Sequence, residues 1–223
     1  MTARATPRRP AGGGQERAER TRAAVVEEAV RCIIDEGFTA PSARRITERA
    51  GVTWGAVQYH FGDLDGLLMA VVDQGLRELT DALDGLTALP ANVSVAQRTA
   101  AVVDAVWEAF SSPTSRAALE ILIVTRAARD AATNQHLADV LARLTALGKR
   151  LGEGLAAPDA AQIGNLIWAT LRGIVVAQMV SPTPLDSSRD RRTLVAVITA
   201  YITAHTPTAA SRRPRAQPRA ARH

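Results

Sequence analysis

Apolar positions along this 223-residue chain recur at helical rather than alternating spacing. Val26, Ala29, Val30 and Ile33 define the buried stripe of a first helix, predicted over 16–36 and stopped by Gly37. A short helix over 43–50 follows, with Ser42 as its N-cap and Gly51 as its stop. A third begins at Thr53. Asp63 then caps a long fourth helix that runs to the "TALPAN" loop. Further helices are predicted over 93–110, 114–129, 134–155, 160–180 and 188–205, separated by "SSP", "AAPD" and "SPTP". The sixth, "TSRAALEILIVTRAAR", is apolar almost all round in its middle, so it is expected to be central and buried. The pattern contains no fixed repeat and no convincing strand. It specifies an all-α fold of about nine helices.

The third helix, within "TWGAVQYHFG" (53–62), has an unusual surface. At about 100° per residue, Val57 and Phe61 fall together as an anchor. Gly55, Ala56 and Tyr59 lie opposite, flanked by Gln58 and His60, with Trp54 on the shoulder. The outward face is slim at its start, where small residues allow close approach. Beyond that it carries hydrogen-bonding tips. Such a face suits a DNA major groove: Gln58 can pair with an adenine edge, and Tyr59 and His60 can reach phosphates. "SARRITERAGVT" supplies the preceding helix and glycine-containing turn at helix-turn-helix spacing. Ile46 and Ala50 are expected to pack on Val57, with Arg44, Arg45 and Arg49 providing positive charge beside the groove.

Composition changes this picture little. Apolar residues make up 47% and aromatics 4%, so small aliphatics fill the core. The net charge of +5 misleads. Residues 1–15 hold three arginines (Arg4, Arg8, Arg9) and 207–223 hold five, with no acid in either, so the tails carry +8 and the body −3. A basic total of this kind is no argument for nucleic acid. Both tails read as disorder. The N-terminus has no apolar signal core, and no continuous apolar stretch approaches the ~20 residues of a membrane span, the longest being "IVVAQMV". A cytoplasmic protein is the expectation. Cys32 stands alone, so no internal disulfide forms. His136 and His205 have no partners at metal spacing, and no metal or cofactor is implied.

In the second region Trp107 and Phe110 share a helix face, as do Trp168 and Arg172. Core packing accounts for each singly; together with Glu120 they are candidates for lining a ligand cavity. Glu120, within "LEILIV", is expected to be buried and paired with Arg116 or Arg172. Ala169, Gly173 and Ala177 make a smooth seam, for a dimer partner or for an internal contact.

The run "ERTRAAVVEEAVRCIIDEGFTAPSARRITERAGVTWGAVQYHFGDLDGLLMAVV" resembles the N-terminal domain of the TetR family of transcriptional regulators, through "GF" after the first helix, the "I…RAGV" turn and the "YHF" ending. The resemblance covers about fifty residues; the remainder agrees in helix count and order. It implies a helix-turn-helix DNA-binding domain over 16–62 and a larger helical ligand-binding and dimerisation domain over 63–206. It also implies a homodimer on a near-palindromic operator, released by a small, mostly apolar effector. Family contact positions fall on Ser42, Arg44, Thr53, Trp54, Ala56, Gln58, Tyr59 and His60. Trp54 and Gln58 stand where many members have Lys and Tyr, and Leu64 where a phosphate-binding Lys is common. The rival readings are a helical-pocket enzyme and an adaptor that does not bind DNA. Against the enzyme, the chain has no HExxH, no phosphate loop after a strand, and no nucleophile–His pair that the sequence places together.

Overall fold

The computed structural model describes residues 13–38, 43–85 and 93–206. Among these residues it contains nine α-helices, a single 3₁₀ turn and no strand. They are α1 (Gly13–Glu36), α2 (Ala43–Ala50), α3 (Trp54–Phe61), α4 (Leu64–Asp84), α5 (Val95–Ser111), α6 (Pro113–Val124), α7 (Ala131–Gly154), α8 (Ala160–Val180) and α9 (Ser188–His205). The expected helices all form. The expectations for Ser42, for residues 1–12 and for residues 207–223 fall outside the described residues, while residues 13–15, expected in the disordered tail, form the first turn of α1.

Local chemistry sets the boundaries. Thr53 caps α3 by accepting the Ala56 N–H at 3.2 Å, and Asp63 caps α4 by accepting that of Gly66 at 2.7 Å. Ser94 and Gln97 form a reciprocal capping box at α5. Gly37, Gly51 and Gly62 adopt positive φ (78°, 63° and 81°), which glycine reaches without a Cβ clash. The junction between α3 and α4 is tight. A Cβ on Gly66 would stand 2.0 Å from the Phe61 carbonyl oxygen, so only glycine fits there.

One core runs through the chain, from Val25, Ile33, Ile46 and Val57 near the N-terminus to Ile167, Leu171, Ile198 and Ile202. α1 lies against α2, α4 and α6. α7 and α8 form the most extensive helix pair. Their backbones touch: a Cβ on Gly164 would meet the Gly148 carbonyl oxygen at 1.7 Å, and one on Gly152 would meet that of Ala160 at 1.8 Å.

Two expectations need correction. α6 is not buried all round: Ala117, Ala118 and Ile121 face the core, but Ile123 and Val124 are exposed, because no neighbouring helix covers that side among the described residues. α8 is long and apolar enough, by length and composition, to cross a membrane. The short run "IVVAQMV" hid this, since Arg172, the one charged residue of α8, and neutral Gln162, Asn165 and Thr170 interrupt the apolar sequence. One side of α8 (Ile163, Gly164, Ile167, Trp168, Leu171, Val175) is buried in the bundle, as befits the core helix of a globular fold.

Candidate nucleic-acid interface

α3 is held from beneath and bare above. Val57 is 0% exposed, and Phe61 packs against the core with the Arg22 guanidinium 5.3 Å over its ring. Tyr59, by contrast, is 82% exposed. Thr53, Gly55 and Gln58 are also exposed, and Ala56 and His60 are half-buried. The Tyr59 and His60 rings meet edge to face at 5.1 Å, which stiffens the pair. Trp54 is the shoulder residue, partly buried and packed on the core. The result is a short, rigid probe with small residues at its start and polar tips along its outer side.

The arginines of α2 do not act alike. Arg44 is exposed, and among the described residues its side chain bonds only to Glu48, one turn on, at 2.7 Å. An exposed pair of this kind contributes little, so phosphate can replace Glu48. Arg45 reaches Glu36 at 2.7 Å. Arg49 contacts Glu28 (3.1 Å), Asp35 (3.3 Å) and Glu36 (3.0 Å), all on α1. Its hydrogen bonds, to Glu28 first and Asp35 next, raise its pKa above the ordinary arginine value. Glu28 is also engaged by Arg31. The expectation that all three arginines supply charge beside the groove is therefore corrected. Arg45 and Arg49 fasten α2 to α1, because folding brings the acidic end of α1 against them. Residues 16–65 contain seven arginines against nine acidic residues. Arg44 is the α2 arginine that no α1 carboxylate engages.

The second set of candidate residues does not converge. Phe110 and Trp168 pack edge to face at 4.7 Å in the core. Trp107 turns toward α9, with Arg191 stacked 4.8 Å over its ring. Arg172 is exposed on the outer side of α8. Glu120 pairs with neither Arg116 nor Arg172; its Oε1 accepts the Phe38 backbone N–H at 2.7 Å. Sequence reasoning weighed only charged partners and missed a backbone donor just past the end of α1.

With this geometry in place, comparison with known proteins is informative. Residues 25–71, which span the second half of α1, all of α2 and α3 and the start of α4, match the model of the bacterial regulatory proteins of the tetR family. The HTH-type transcriptional regulator BetI of Rhizobium meliloti (strain 1021) is 26% identical over 185 residues, covering 82% of this chain and 88% of the relative. The TetR-family regulator PfmR of Thermus thermophilus superposes with a TM-score of 0.60 at 14% identity, covering 79% of this chain and 97% of PfmR. FadR of Bacillus subtilis, solved in complex with stearoyl-CoA, gives 0.60 at 12%, covering 81% of this chain and 98% of FadR. At such identities the two structures establish likeness of fold. Taken with the match over residues 25–71, they show that this chain is similar to the TetR family of transcriptional regulators in its helix-turn-helix segment and in its overall fold.

Proposed function

We propose that the protein is a homodimeric cytoplasmic repressor, with 16–62 as its DNA-binding domain and 63–206 as its ligand-binding and dimerisation domain. The observation that carries this reading is the probe on α3: Tyr59 stands in solvent opposite the buried Val57, with exposed Gln58 on its flank. In the proposed complex Gln58 reads a base edge, Thr53, Ala56, Tyr59 and His60 lie against the groove and its phosphates, and Arg44 pairs with a phosphate. Trp54 serves chiefly as the packing shoulder. Ser42 keeps its proposed contact on the resemblance alone.

Dimerisation is proposed through α8 and α9. Ala169, Gly173 and Ala177 are exposed along α8, and nothing among the described residues lies within 4 Å of a Cβ built on Gly173. That favours the partner over the internal contact for this seam. Leu166, Val180 and Val197 are also exposed. Two copies so joined would set two probes about 34–36 Å apart on a near-palindromic operator. A small, mostly apolar effector would favour a state with a different spacing and release the DNA. FadR, similar in fold, was solved with stearoyl-CoA, a ligand that carries a long apolar chain.

Footprinting on the DNA upstream of the protein's own coding sequence tests the proposal. Protection of a short inverted repeat, lost in Tyr59→Ala, is the expected result. The absence of any protected segment in that DNA or in a random-sequence selection overturns it.

A further inference from the structure

α4 and α7 run side by side, joined by a cross-helix hydrogen bond and a cross-helix ion pair. Near the DNA-binding end, His136 Nε2 lies 2.9 Å from Asp73 Oδ1. At the far end, Arg150 donates to Asp84 Oδ1 at 2.6 Å. Between these clasps the helices separate into a cleft of ≈ 600 Å³, within the roughly 300–1,000 Å³ range of small-molecule sites. Leu76, Ala146 and Leu147 supply an apolar floor. Arg77 and Arg143 stand in the wall, and neither carries an ion pair among the described residues; Arg77 donates only to neutral Gln74, at 2.6 Å. Asp73 and Asp81 are the carboxylates that line the cleft, against the guanidiniums of Arg77, Arg143 and Arg150.

Guanidiniums without carboxylate partners above an apolar floor match a molecule with the opposite arrangement. We propose that this cleft binds a small organic anion, whose carboxylate or phosphate is held by Arg77 and Arg143 and whose apolar body rests on Leu76 and Leu147. A planar guanidinium fork recognises such oxygens bidentately, which an ammonium cannot do. The site refines the proposed function and rests on it for its regulatory meaning: it names the chemistry of the effector and places it beside α4. α4 is the helix continuous with the probe, since Gly62 closes α3 and Asp63 opens α4. An occupant bearing on α4 therefore acts on the element that carries α3.

The test uses the full-length protein without DNA and the fluorescent anion anilinonaphthalene sulfonate as probe, with octanoate and octanol as competitors. Octanoate is expected to displace the probe and uncharged octanol to do so far less well. Arg77→Gln and Arg143→Gln are each expected to weaken octanoate about tenfold, whereas Lys149→Gln, which removes one positive charge elsewhere on α7, leaves it unchanged. Both arginine variants should keep the wild-type melting temperature, and octanoate should shift the methyl resonances of Leu76 and Leu147. Displacement that is equal for octanoate and octanol, arginine variants no weaker than Lys149→Gln, or unshifted methyls would each overturn the site. A lost anion site leaves operator recognition standing, and a failed footprint leaves the anion site standing.

Discussion

The Glu120 carboxylate accepts the backbone N–H of Phe38 at 2.7 Å, joining α6 to the turn that leaves α1, across 82 residues of sequence. Gly37 ends α1 in a left-handed conformation, with its own N–H donated to Ile33 O at 2.9 Å. The next N–H points away from the helix in a part-buried place, and Glu120 is its acceptor. Glu120→Ala should lower unfolding free energy by about 1–3 kcal/mol, and Glu120→Gln, which retains an acceptor oxygen, by less. Urea unfolding measures both; equal stability of all three proteins would show that water replaces the carboxylate without loss.

Arg44 and Arg49 lie five residues apart and should fail in opposite ways. Arg44→Ala is expected to leave the melting temperature unchanged and to reduce the salt dependence of operator binding by about one ion per half-site. Arg49→Ala releases three carboxylates of α1 and should lower the melting temperature, with the salt slope intact. Calorimetry and binding titrations over a range of salt concentrations separate the two; an unchanged slope for Arg44→Ala removes its phosphate role.

Gln58→Ala should relax base preference at one position in each half-site, with a loss of about 1–3 kcal/mol of discrimination there. Since Tyr59 is exposed, Tyr59→Ala should weaken binding to all sequences alike and spare thermal stability. Binding-site selection with each variant reads both effects, and selectivity identical to wild type for Gln58→Ala would assign base reading to another side chain.

Two glycines of α8 have contrasting surroundings. Gly164→Ala puts a methyl group into the Gly148 backbone and should destabilise the fold by at least about 1–3 kcal/mol as the helices are forced apart. Gly173→Leu points into open space; it should preserve the melting temperature of the isolated chain while weakening self-association. Sedimentation resolves the second case, and a dimer as tight as wild type would exclude this seam as the interface.

Asp130 caps α7 by accepting the Thr133 N–H at 2.7 Å, and this bond, first among its causes, holds the carboxyl below the ordinary aspartate pKa. For a depressed carboxyl the stabilisation is full above the unfolded value, about 3.9, and is lost as the pH falls through the lower folded value. Carboxyl carbon resonances should show Asp130 titrating below the ordinary aspartate value of about 3.9, and the first turn of α7 should fray only in that acid window. A midpoint at or above that ordinary value would deny the cap any electrostatic weight.

Much of this was legible along the chain, because helices are written locally. The spacing of Val26, Ala29, Val30 and Ile33 and the cap at Asp63 each depend on residues within a turn or two. The face of α3 was equally readable, since Val57 and Tyr59 differ by a fixed rotation. Other features depend on which distant groups meet. Arg49 looks like a free cation until folding brings Glu28, Asp35 and Glu36 to it. Glu120 looks like half of a salt bridge until its neighbour proves to be a peptide group. The seam on α8 was visible as a repeat of small residues, but the closer approach of Gly164 to Gly148 involves two helices and has no single-helix signature. The cleft between α4 and α7 escaped for the same reason: Arg77 and Arg143 become neighbours only in three dimensions.

Arg49 gathers carboxylates from one helix onto another, so the small reading head is clamped across its width rather than only glued through its centre. A head clamped in this way resists being remodelled from within. Whatever signal reaches it has little freedom to reshape the probe, and what remains adjustable is where the intact head is carried.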